Sequence, residues 1–130
     1  MTKQDRAEMY RAYLAGEGFP AQIDRDGDVT FKHEGGSYVI IIDEDDETYF
    51  RLVFPSFWSI ESDEERVRVI LAAVHATAQI KVAKVYPLGD QTFASIEMFV
   101  SPPEGFKPVF LRSLRALHAA VQCFREKVLG

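Results

Sequence analysis

A chain of 130 residues is the length of one folding unit, and a content of 47% hydrophobic and 12% aromatic residues supplies a packed core and excludes a disordered chain. The single cysteine, Cys123, excludes an intrachain disulfide and a cysteine-built zinc site. A net charge of −5 argues against nucleic acid as a partner. No segment approaches the ~20-residue apolar run of a membrane helix, and the N-terminal residues lack the apolar stretch of a signal peptide, so a cytoplasmic location with no membrane partner is expected.

Residues 4–16 are expected to form a first helix, with Met9, Tyr10, Tyr13 and Leu14 at helical spacing and Gly16, Gly18 and Pro20 ending it. A meander follows over residues 20–54. Asp26-Gly27 marks one hairpin turn, Gly35-Gly36-Ser37 a second, and the acidic run Asp43–Glu47 a third, with Pro55 closing the last strand. The acidic run tests poorly as a calcium loop. Its carboxylates are contiguous and lack the central glycine and twelve-residue spacing that calcium requires, so a solvated turn is the reading. Asp24–Asp28 fails the same test, and no metal or cofactor is expected.

Ser62-Asp63-Glu64-Glu65 is a capping box that starts a second helix ending near Gln79. Strands are expected over Lys81–Tyr86 and Thr92–Ser101, with Pro87–Asp90 turning between them. A last amphipathic helix runs from about Lys107, its apolar stripe being Phe110, Leu114, Leu117, Val121, Phe124 and Val128. The order α-βββ-α-ββ-α, with one short additional strand in the meander, predicts a single α+β domain over residues 1–130. Its antiparallel sheet has about five strands, and three helices accompany it.

Charge divides along the chain. Asp24–Glu65 carries 13 acidic and 3 basic residues, and Phe106–Gly130 carries 5 basic and 1 acidic. Such asymmetry steers a partner or a second subunit.

No nucleophile elbow, phosphate loop, dinucleotide fingerprint or metal-binding histidine pair is present. Apolar residues, by contrast, exceed what one core needs. In the second helix Val67, Ile70, Leu71, Val74 and Ala78 form the expected core face. Val69, Ala72, Ala73 and Ala76 form an opposite, small-residue face, expected to be the interface of a homodimer. On the sheet, Tyr49, Val53, Phe93 and Phe99 alternate onto the face that should be polar, and are expected to contact a partner polypeptide. Trp58, in the loop before the capping box, joins them as a contact residue if it is exposed. The competing expectation is a ligand-binding or enzymatic site assembled from Arg51, Glu97, His75 and His118.

The segments GDVTFKHEGGSYVIIID, SDEERVRVILAAVHATAQIKVAKVYP, ASIEMFVSP and FLRSLRALHAAVQCFRE together resemble the YbjN-like family of candidate bacterial sensory-transduction regulators. That family is similar in fold to the class I type III secretion chaperones. The resemblance implies three helices on a five-stranded sheet, commonly as a dimer, with no established enzymatic activity. Secretion chaperones hold an extended client segment against apolar patches. The resemblance thus implies a non-enzymatic protein-binding module, chaperone-like or regulatory.

Overall fold

The computed structural model describes residues 1–130. Helix α1 spans Lys3–Gly16, opened by a reciprocal capping box between Thr2 and Asp5. Strands β1 (Ala21–Ile23), β2 (Val29–His33), β3 (Gly36–Ile40) and β4 (Tyr49–Ser59) follow, then helix α2 (Asp63–Gln79), strands β5 (Ala83–Leu88) and β6 (Gln91–Phe99), and helix α3 (Phe110–Leu129). A 3-10 segment over Pro103–Val109 leads into α3, so the last helix begins three residues later than its sequence suggests.

All six strands pair antiparallel in the order β1-β2-β3-β4-β6-β5. The sheet thus has one strand more than the approximate five, because the three-residue β1 pairs fully with β2. Pro55 does not close β4. The register shifts between Phe54 and Trp58, and Ser56 takes φ +48° within this bulge, where no ladder hydrogen bond is required. The strand then resumes, pairing Trp58 with Thr92.

One face of the sheet carries Phe31, Tyr38, Ile40, Phe50, Leu52, Ala94 and Ile96, all in one apolar core with the helices. An aromatic cluster locks α1 and α3 to it. Tyr10 packs edge-on to Phe106 at 4.7 Å, Tyr13 packs against both Phe106 and Phe110, and Phe31 stacks on Tyr38 at 5.4 Å. The predicted stripe of α3 is buried here in full, with Ser113 and Ala120 beside it.

Helix α2 packs on α3 and along β5. β5 is an edge strand, and the outward N–H of Val85 donates to Thr77 Oγ1 at 2.9 Å. Two residues on, Pro87 has no N–H to present. No helix of the fold is long and apolar enough to cross a membrane.

The acidic run is a turn held from beneath. Arg6 lies in α1 one turn before Tyr10 and is 1% exposed. Its guanidinium donates to the backbone carbonyls of Asp43 at 2.9 Å and Asp46 at 3.2 Å. The only buried cation therefore serves the backbone of the run, and none of the run's carboxylates forms an ion pair with it. In the Asp24–Asp28 turn, Asp24 Oδ1 accepts from the N–H groups of Asp26 and Asp28, and Asp28 lies 3.5 Å from Lys3.

Candidate protein-contact surfaces

Two faces expose apolar side chains in quantity, and the first corrects the sequence reading. Val69, Ala72, Ala73 and Ala76, expected at a homodimer interface, are each 2% exposed or less and sit in the core. Val67, Ile70, Leu71 and Val74, expected in the core, are 43 to 63% exposed. The two stripes share the same 3-4 spacing, so periodicity cannot rank them. Side-chain volume does. The alanines let α2 approach α3 and β5 closely, and the bulkier stripe is left on the outside. The excess apolar face of α2 is therefore present, on the side opposite to the one expected.

The second face is the side of the sheet away from the helices. Cross-strand register places Tyr49 beside Phe99, Arg51 beside Glu97, Val53 beside Ser95 and Tyr86 beside Phe93 on it. These residues differ in access. Phe99 is 80% exposed. Phe93 is half-buried and stacks on Tyr86 at 6.0 Å. Tyr49 is half-buried and donates to Glu97. Val53, expected to contact a partner, is 1% exposed and unavailable; flanked in register by Val39 and Ser95, it is the one buried apolar residue outside the main core.

Glu97 organises the polar part of this face. Its carboxylate accepts from the Tyr49 hydroxyl, from Ser95 Oγ at 2.6 Å and from Lys84 Nζ at 2.9 Å, with Arg51 Nε 3.8 Å away. Burial pushes the carboxyl up, but the hydrogen bonds from Ser95, Tyr49 and Lys84 outweigh it and hold the group at about 2. Burial and the bond to Glu97 together push the Tyr49 phenol up to about 12. Of the four residues of the competing site, the structure unites Arg51 and Glu97 only. His75 lies on α2, and exposed His118 lines a recess with Phe19 and His33 at the helical layer.

The overall architecture has a counterpart of known structure. The crystal structure of YbjN from E. coli, described as a candidate transcription regulator, matches with a TM-score of 0.67 over 92% of this chain and 92% of that one, at 9% identity. The chain has a YbjN-like fold. No family model matches the sequence, and no curated protein matches it.

On this YbjN-like scaffold the remaining expected contact residue stands apart. Trp58 follows the β4 bulge and packs edge-on to Phe124 of α3 at 5.7 Å, while Phe57 packs on the same ring at 5.3 Å. Both plug the junction between sheet and helix, and Trp58 is half-buried there, away from the sheet face that carries Tyr49 and Phe99. A groove that the sequence reading did not anticipate lies at the C-terminal end of α2. Its volume is about 680 Å³, and Ile80, Val82, Met98 and Val109 supply apolar lining. Val82 adopts φ +68°, a strained conformation for a β-branched residue, where the chain turns from α2 into β5. Lys81, Arg112 and Arg115 also line the groove, and none forms an ion pair within the molecule. These cations come from two separate segments. The positive balance of the C-terminal residues signalled the two arginines, and nothing signalled Lys81.

Proposed function

We propose that this protein is a non-enzymatic protein-binding module, chaperone-like or regulatory, that acts as a homodimer in the cytoplasm and engages a partner polypeptide rather than nucleic acid or membrane. The observation that carries this reading is the exposed stripe of Val67, Ile70, Leu71 and Val74 on α2. An apolar helix face of this kind, on a domain that already has a complete core, marks an interaction surface. The stripe is the homodimer contact. The open sheet face, with Phe99 at its end and Tyr49 beside it, receives the client.

Two observations support this reading over a small-ligand or catalytic site. The carboxylate of Glu97 is already engaged by Tyr49, Ser95 and Lys84, which leaves it committed to structure. The recess beside it is open to solvent, whereas small-molecule sites enclose most of their ligand. The likeness to YbjN, itself described as a candidate transcription regulator, agrees with a regulatory role.

Light scattering coupled to size exclusion tests the dimer across a concentration range. Wild type is expected at twice the 14.7 kDa chain mass at high micromolar concentration, and Leu71→Glu at the chain mass with an unchanged circular dichroism spectrum. A wild type that stays at the chain mass, or a Leu71→Glu variant that dimerises as wild type does, overturns the assignment of α2.

A further inference from the structure

We propose that the groove at the C-terminal end of α2 binds a small amphiphilic carboxylate, a molecule with an anionic head and an unbranched apolar tail, with Lys81 and Arg112 holding the head.

The groove is built in two layers. Ile80, Met98, Val109 and Ala116 line it and are half-buried, whereas Lys81, Arg112 and Arg115 line it and are exposed. Apolar surface therefore lies beneath a cationic rim. Met98 belongs to the helical side of the sheet, since side chains alternate along β6 and its neighbours Glu97 and Phe99 take the outer face. The site is additional to the protein-contact surfaces. It lies across the sheet from the Glu97 cluster and is less open to solvent than the recess there. Its volume of about 680 Å³ falls in the range of small-molecule sites. Ser113 adds one donor inside. It is 5% exposed and lines the groove, and its hydroxyl has no hydrogen-bond partner in the chain.

The rim calls for an anion. Lys81 stands just past α2, where a cation complements the helix dipole, so it has a local use. Arg112 has none. It lies in the first turn of α3, the end at which a cation is disfavoured, and that turn carries neither an acidic residue nor a side-chain cap. An anion in the groove answers Arg112 and the start of α3 together. Arg115 also borders the recess beside Glu34, so the head group is assigned to Lys81 and Arg112.

The apolar layer selects the rest of the ligand. A bare phosphate, or a nucleic-acid backbone, would leave that layer unused. An extended polypeptide would need a strand edge to pair with. On β5, which starts at the groove, the Val85 N–H is already taken by Thr77 and Pro87 has none. A flexible apolar tail needs no such partner.

Isothermal titration calorimetry of the full chain with decanoate tests the site. Decyltrimethylammonium serves as the cationic control, and acetate and inorganic phosphate as heads alone. Decanoate is expected to bind one-to-one with a Kd of about 100 µM or tighter, and the three controls not measurably. Octanoate should bind roughly tenfold more weakly, at about fourfold per buried methylene. Arg112→Gln is expected to weaken decanoate by about tenfold and Lys81→Gln by about threefold, both with unchanged melting curves because both positions are exposed. Amide shifts on titration should be largest over 79–82 and 109–116. No decanoate binding, equal binding of the cationic amphiphile or of phosphate, or an unchanged affinity in Arg112→Gln overturns the proposal. Shifts largest over 67–74 would put the tail on the exposed stripe of α2 and overturn it equally. A decanoate affinity that falls as the chain self-associates would put a second copy in the groove, and tighter binding of a peptide of alternating leucine and glutamate would put a polypeptide there; either result also overturns it.

Discussion

Tyr49 donates its phenolic hydrogen to the Glu97 carboxylate across the β4–β6 pairing, on the sheet face away from the helices. The bond ties an aromatic ring to the one carboxylate of that face, and it makes part of the sheet's stability depend on pH.

Glu97 is held at about 2 in the folded chain against an ordinary value of 4.5. A depressed carboxyl stabilises the fold above its unfolded value and loses that contribution as pH falls through the folded one. The stability difference between wild type and Glu97→Gln should thus be largest at neutral pH. It should shrink between about pH 4.5 and pH 2, and vanish below. Urea denaturation of both proteins at pH 7, 4 and 2 measures it. A difference that does not change with pH would mean that Glu97 acts through packing and not through its charge.

Arg6 supports the acidic turn through the carbonyls of Asp43 and Asp46. Arg6→Ala should cost about 2–3 kcal/mol, the scale of hydrogen bonds to a buried charged group. It should also raise amide exchange selectively in the turn between β3 and β4. An exchange pattern unchanged in that turn would show that it holds itself.

On the outer sheet face, Phe99 and Val53 should behave oppositely. Phe99→Asp leaves the melting temperature close to wild type, since its ring is solvent-exposed, and lowers client binding or self-association. Val53→Asp buries an unpaired charge and should cost several kcal/mol. Thermal melts of the two variants side by side are sufficient. A Phe99→Asp protein that melts as early as Val53→Asp would remove Phe99 from the contact surface.

The two faces of α2 make a similar pair for stability. Ala73→Glu should prevent folding, because it places a charge in the core, whereas Leu71→Glu should stay within about 0.5 kcal/mol of wild type when both are compared at concentrations where the chain is monomeric. Chemical denaturation separates the alternatives, and a folded, stable Ala73→Glu chain would restore the sequence-based assignment of that face.

What could be read beforehand follows from the physics of each signal. Capping and turn residues act locally, so Ser62 and Asp26-Gly27 place their elements correctly in the sequence, whereas the Pro87–Asp90 signal marks the hairpin but not its ends: Pro87 and Leu88 still pair in β5, and the turn is Gly89-Asp90 alone. The α3 stripe is legible because only one of its sides is apolar. Helix α2 has two apolar sides, and the choice between them depends on the distance at which α3 lies, which is a tertiary quantity. The burial of Val53 is likewise set by its cross-strand neighbours and not by its own strand. The role of Arg6 left a trace, since Arg6, Tyr10 and Leu14 share one face of α1 and an arginine on an apolar face requires a partner. Nothing local announces the groove, whose cations converge only when the end of α2 meets the start of α3.

The outer margin of β5 has a consequence for how this molecule grows in company. Of its outward backbone positions, Val85 is already satisfied by Thr77 and Pro87 has nothing to donate. At the far margin, β1 offers only three residues. A chain arriving edge-on therefore finds no row of free amides to template another strand, the usual route to fibrils and domain-swapped ladders. Sheet-wise polymerisation is stopped at both margins. Concentrated solutions should contain discrete particles, and amyloid-sensitive dyes should remain dark in them.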